Sequence, residues 1–212
     1  IADCPEDRVE KIVQKRLPTT FAEGFFADAA VLLEGDTDVA VLTAIAEKKG
    51  QPFDAAGVCL IDVSGKTAIA VPHAIMTQLE VPLYVVCDGD YLNAESKYPE
   101  SRDADKPDNK TKREQAHGSH QNQTEKLVAW LPDDAESVSG SVPYAFGDSS
   151  VISTKYTIWN NDIESELESW PSFIAALESA KFGVRCKNLL AYREAVLDAD
   201  LDDMPTDRKS VV

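Results

Sequence analysis

The sequence predicts an α/β fold built on a doubly wound, mostly parallel sheet flanked by helices, and three observations carry that prediction. VLLEG (31–35), GVCLIDV (57–63) and VPLYVVCDGD (81–90) are apolar runs without polar alternation, which marks strands buried on both faces. Helix-patterned segments with short turns separate them, and strand–helix–strand repetition is the mark of parallel βαβ units. Acid gathers where the strands end: Glu34 closes the first run, and Asp88 and Asp90 close the third. Ligands of such sheets sit at the carboxyl ends of the strands.

The elements follow in order. Pro5 suits a first helical turn, and Val9, Ile12, Val13 and Leu17 give the segment an apolar stripe. TFAEGFFADA reads as a second short helix, so residues 1–30 form a helical lead-in. DTDVAVLTAIAEKKG (36–50) is a helix that Asp36 or Thr37 can cap, with Lys48 and Lys49 at its C-terminal end and Gly50 closing it. SGKT (64–67) makes a turn into the helix VPHAIMTQLE. Residues 91–120 are polar and mixed in charge, and read as loop or mobile helix. QNQTEKLVAWL is a short amphipathic helix, YTIW (156–159) a strand, and NDIESELESW an acid-rich turn and helix. The main domain is thus expected over 31–170. PSFIAALESAKF and CKNLLAYREAVLDA make 171–212 an appended helical C-terminal segment with a frayed tail.

Of the 212 residues, 43% are hydrophobic, enough for a sizeable core. The formal net charge of −16 argues against simple electrostatic adhesion to nucleic acid or anionic lipid, yet it suits a site for divalent cations. Cys4, Cys59, Cys87 and Cys186 are scattered without CxxC spacing, and only three histidines accompany them. A Cys/His zinc site is therefore not expected, and a reduced, cytoplasmic protein is. No apolar run approaches the roughly 18–20 residues that cross a bilayer, so no membrane partner is expected. The chain begins without an initiator Met or a signal-peptide pattern, and a fragment of a longer polypeptide is expected.

Three acidic clusters each follow an apolar run: Glu34/Asp36/Asp38, Asp88/Asp90 and Asp162/Glu164/Glu166. Hard cations such as Mg²⁺ and Mn²⁺ want oxygen ligands, and phosphoryl-transfer sites use one or two of them. On an extended segment, DxD would point both carboxylates the same way. Asp38, one helical turn beyond Glu34, can face the same pocket, whereas Asp36 reads as a cap. DIESELESW has a plainer reading as an acidic first turn that complements a helix dipole. Other motifs fail. The first glycine of a Walker A loop would fall at Leu60, which leaves Lys66 as a surface turn lysine, with a phosphate contact at a helix start as the alternative. Leu92 and Asn93 break an EF-hand pattern at DGDYLNAES. His73, His117 and His120 lack nucleophile partners at recognisable spacing, and Lys187, within the CKNLLAYREAV helix, reads by itself as a snorkelling lysine.

FFADAAVLLEGDTDVAVLTAIAEKKG, VCLIDVSGKT and VPLYVVCDGD, in that order, closely resemble the C-terminal TOPRIM region of OLD-family (overcoming lysogenization defect) ATP-dependent nucleases. TOPRIM is the fold shared by topoisomerases, bacterial primases and several nucleases. The resemblance is specific over 21–90, moderate around YTIWNNDIESEL and CKNLLAYREAV, and poor over 91–150. It implies DNA cleavage with two divalent cations, Mg²⁺ or Mn²⁺. Glu34 and Asp38 would help hold one, Asp88 and Asp90 the other or both, and Asp162, Glu164 and Glu166 would supply further ligands. Lys187 would stabilise developing phosphate charge. Asp38 stands where the family pattern often has Glu. The resemblance also implies DNA as substrate, an N-terminal ATPase half and a homodimer formed through that half. Alternatives are another TOPRIM enzyme of primase or topoisomerase type, or a non-catalytic metal-binding module serving an ATPase.

Overall fold

The computed structural model describes residues 20–132 and 134–205. The expected N-terminal helix around Pro5–Leu17 and the end of the tail lie outside the described residues. The described elements are α1 (Phe21–Gly24), β1 (Ala29–Leu33), α2 (Asp36–Lys48), β2 (Val58–Asp62), α3 (Ala70–Gln78), β3 (Leu83–Asp88), α4 (Asn93–Lys97), α5 (Asn109–Val128), β4 (Ser137–Ser139), β5 (Val151–Ser153), β6 (Tyr156–Trp159), α6 (Ile163–Leu167), α7 (Pro171–Ser179) and α8 (Leu189–Asp198). Among the described residues the strands form one six-stranded mixed sheet in the order β2-β1-β3-β6-β5-β4. β2, β1, β3 and β6 run parallel, and β5 and β4 continue the sheet antiparallel.

Successive side chains on a strand point to opposite faces, and here both faces are covered. Leu33 of β1 and Val86 of β3 pack with α2, α7 and α8. Leu32, Val85 and Cys87 pack on the other face with Phe21, Met76 and Leu127 of α1, α3 and α5. The doubly wound expectation holds, and the reason is the one read from the apolar runs. The C-terminal helices close the first face. Trp170 stacks on Phe173 at 5.5 Å and Phe173 on Tyr192 at 6.3 Å between ring centroids, all three fully buried. Such pairs contribute beyond the area they bury.

Several expectations are corrected. The segment 91–120 carries α4 and the first part of α5, which runs from Asn109 to Val128 and takes in most of the expected short helix at 121–131. Up to Thr124 the inward stripe of α5 is polar (Asn109, Arg113, His120 and Thr124), so hydrophobic periodicity cannot detect that part. Arg113 anchors the segment through paired contacts to Asp103 at 3.1 and 2.9 Å and a hydrogen bond to the Tyr98 carbonyl at 2.9 Å. β4 and β5 were not anticipated, being three residues each. The helix cap expected at Asp36 or Thr37 is Gly35, and the Gly35 N–H donates to Asp38 Oδ2 at 3.2 Å. Lys187 lies ahead of α8 rather than within it, in a left-handed conformation (φ 53°), and Asn188 caps the helix. Cys59, Cys87 and Cys186 are free thiols, Cys87 fully buried in β3. Among the described residues no helix is long and apolar enough to cross a membrane.

Candidate metal centre

β1, β3 and β6 are neighbours and parallel, with Leu33 level with Val86 and Asp88 level with Trp159. Their carboxyl ends therefore bring Glu34, the DGD turn and the DIE segment to one edge, which is why acids distant in sequence meet. Glu34 Oε2 accepts the Asp88 N–H at 3.1 Å. Asp38, on the first turn of α2, is 3% exposed, and its Oδ1 has no hydrogen-bond partner. Asp88 Oδ1 is equally buried and equally without a partner.

Burial, then the charges of Asp38, Glu34, Asp90 and Asp162, push the Asp88 carboxyl well above the usual carboxylate range. Asp38 is raised to about 7, by burial first and then by Glu34 and Glu164. Burial also raises Glu34, partly countered by the Lys66 charge. Asp162 goes the other way: burial would raise it, but the Arg185 guanidinium and the Ser165 hydrogen bonds outweigh burial and hold it low. Its Oδ1 accepts the Ser165 N–H at 2.8 Å as the cap of α6, and Arg185 lies 2.8 Å from its Oδ2. Glu164, 2% exposed, receives the Lys187 ammonium. Desolvation lowers the Lys187 pKa, but the hydrogen bond to Glu164 and the charges of Glu164, Asp162 and Asp88 prevail and raise it.

The remaining acids part company with this group. Asp90 sits in a left-handed conformation (φ 61°), so the extended geometry assumed for DxD fails at its second acid. Its carboxylate turns away to Lys66, at 2.7 Å, and lies near His120, at 3.2 Å. Glu166 Oε1 accepts from Ser150 Oγ at 2.6 Å, and the side chain borders an apolar cavity with Val41, Leu42, Trp159 and Trp170. Asp36 is exposed. Lys66, expected on the surface, is 4% exposed. Its sequence signal was present all the same, in a turn leaving the strand next to β1. Arg185, Ser165, His120 and Thr124 carried no such signal, since loops and a polar helix stripe deliver them.

Among the described residues no group of three His, Cys, Asp or Glu side chains is placed so that it could hold a metal ion. The donor set nevertheless fits a hard cation. It is all oxygen, and two buried carboxylate oxygens lack any partner. Gly89, between the two aspartates, fits the same frame. A Cβ there would lie 2.4 and 2.5 Å from the carbonyl oxygens of Asn160 and Trp159, so only glycine lets the turn lie against β6.

Residues 25–90 match the family described as "Overcoming lysogenization defect protein-like, TOPRIM domain". Two solved structures are similar in outline. One is the C-terminal region of the Burkholderia pseudomallei OLD protein, 17% identical, spanning 88% of this chain and 100% of that one with a TM-score of 0.48. The other is the C-terminal region of the Xanthomonas campestris pv. campestris OLD protein, 14% identical, spanning 88% and 92% with a TM-score of 0.46. No curated protein matches the chain.

Proposed function

We propose, from the match of residues 25–90 to the OLD-like TOPRIM family, that this chain is a divalent-cation-dependent nuclease domain that hydrolyses DNA phosphodiester bonds. One observation carries the reading: half-buried Asp88 presents an enclosed, unpartnered carboxylate oxygen to the like charges of Asp38 and Glu34. Buried like charges without a counter-ion are costly, and a structural role would be met more cheaply by apolar side chains. Asp38, Glu34 and Asp88 would hold Mg²⁺ or Mn²⁺, with Glu164 and Asp162 completing the surround.

When bound, the cation lowers the pKa of a coordinated water and offsets charge on phosphate oxygens. The chain's own residues do the rest. The Asp88 N–H fixes Glu34 Oε2, and the Gly35 N–H fixes Asp38 Oδ2, which leaves Asp38 Oδ1 for the cation. Arg185 and Ser165 hold Asp162 ionised at the start of α6. Lys187, exposed and paired with Glu164, carries a positive charge at the mouth of the site, where an incoming phosphate would meet it. DNA is the proposed substrate, and an N-terminal ATPase half of a longer chain is the proposed source of the basic surface that a chain of charge −16 lacks.

The test is cleavage of supercoiled plasmid in Mg²⁺ or Mn²⁺, with chelator controls. Asp88→Ala should abolish cutting while the fold persists by circular dichroism. An Asp88→Ala protein that cuts as fast as the parent ends this reading.

A further inference from the structure

The second acid of the DGD turn already has a cation. Lys66 reaches it from the turn after β2, and its Nζ lies 2.7 Å from Asp90 Oδ2. The same ammonium donates to Thr124 Oγ1 at 3.1 Å, and Thr124 in turn donates to the Gly89 carbonyl at 3.3 Å. Asn93 Nδ2 donates to Asp90 Oδ1 at 3.3 Å, so both oxygens of this carboxylate are engaged. Asp88, two residues earlier, has a bare oxygen. Lys66 starts from the turn after β2, on the far side of β1 from β3, and its charge also counters the rise that burial gives the Glu34 pKa.

A divalent ion at Asp90 would have to displace this ammonium or sit beside it. Displacement leaves a buried lysine without its partner, and coexistence sets two cations against each other in a poorly solvated place. We propose that Lys66 is a tethered cation standing in for a second metal ion, so that Glu34, Asp38 and Asp88 hold a single divalent ion and Asp90 is a positioning residue. This rests on the metal-dependent reading above and reduces to one the two ions that the family resemblance implies.

Counting bound Mn²⁺ tests it, using MnCl₂ alone and the electron paramagnetic resonance signal of free Mn²⁺, without nucleic acid. The parent chain should bind one Mn²⁺. Asp90→Asn should leave that number unchanged, and Asp88→Asn should lose the ion. Lys66→Met, which frees Asp90 without leaving a void, should gain a second Mn²⁺. Two ions on the parent, with one lost in Asp90→Asn, overturn the proposal, as does a folded Lys66→Met protein that still holds one. If Lys66→Met does not fold, the parent and Asp90→Asn counts decide. A parent that binds no Mn²⁺ ends the metal-dependent reading itself, an outcome distinct from a count of two.

Discussion

Asp38→Asn isolates the electrostatic cost of the metal-free site. The substitution keeps the side chain's shape, and the amide oxygen can still accept the Gly35 N–H. It removes a charge that is 3% exposed and faces Glu34 and Glu164. With Asp38 raised from 3.8 to about 7, the folded state holds a proton that the unfolded chain releases near pH 4. Its contribution to stability is therefore complete below pH 4 and is lost as pH rises to 7. At 1.36 kcal/mol per unit, the parent should lose about 2–3 kcal/mol between pH 5 and 8 through this group. Asn has no such loss, and relief of the repulsion on Glu34 and Asp88 acts in the same direction. Urea denaturation in chelator, followed by the fluorescence of Trp130, Trp159 and Trp170, measures both proteins at the two pH values. The Asn protein should gain on the parent by about 2–3 kcal/mol from pH 5 to 8. Adding Mn²⁺ at pH 8 should stabilise the parent and leave the variant nearly unmoved. Stability curves that run parallel in pH would refute the burial argument, whatever the nuclease assay shows.

Other outcomes follow from the same geometry. Gly89→Ala forces a methyl against two backbone carbonyls, so it should cost about 1–3 kcal/mol in denaturant melts and displace the Asp88 and Asp90 carboxylates. Phe173→Ala opens the stack between Trp170 and Tyr192 and should cost about 3–5 kcal/mol. Hydrogen exchange should then rise in α8, which Lys187 immediately precedes. Lys187→Met leaves the buried Glu164 carboxylate without its ammonium partner, so the melting transition in chelator should fall below that of the parent. Plasmid cleavage at saturating Mn²⁺ should fall sharply, and undiminished turnover would remove Lys187 from the chemistry.

Much of the architecture was legible because its signals are local. Buried parallel strands need unbroken apolar runs, and VLLEG, VCLID and YVVCD supply them. Amphipathic helices between such strands leave parallel pairing as the economical arrangement, and that arrangement places Glu34 and Asp88 at the same edge. Periodicity found the C-terminal end of α5, where Leu127 is buried, but missed the rest, whose inward face binds by hydrogen bonds and charge and has no hydrophobic stripe to detect. It failed for β4 and β5 because three residues are too few to show alternation.

The sequence by itself determined the parallel run of the first three strands and the identity of the acids that end them. Spacing within one segment is a covalent fact, so Glu34 and Asp38 were bound to share a helix start. Tertiary structure alone decided how the acids are paired. The left-handed turn at Asp90 and the reach of Lys66 across the strand ends separate two aspartates that an extended chain would have aligned. Glu164 receives Lys187, and Asp162 receives Arg185, from a loop some twenty residues away. Such contacts depend on where a folded backbone places long, flexible side chains, and no local pattern encodes that distance.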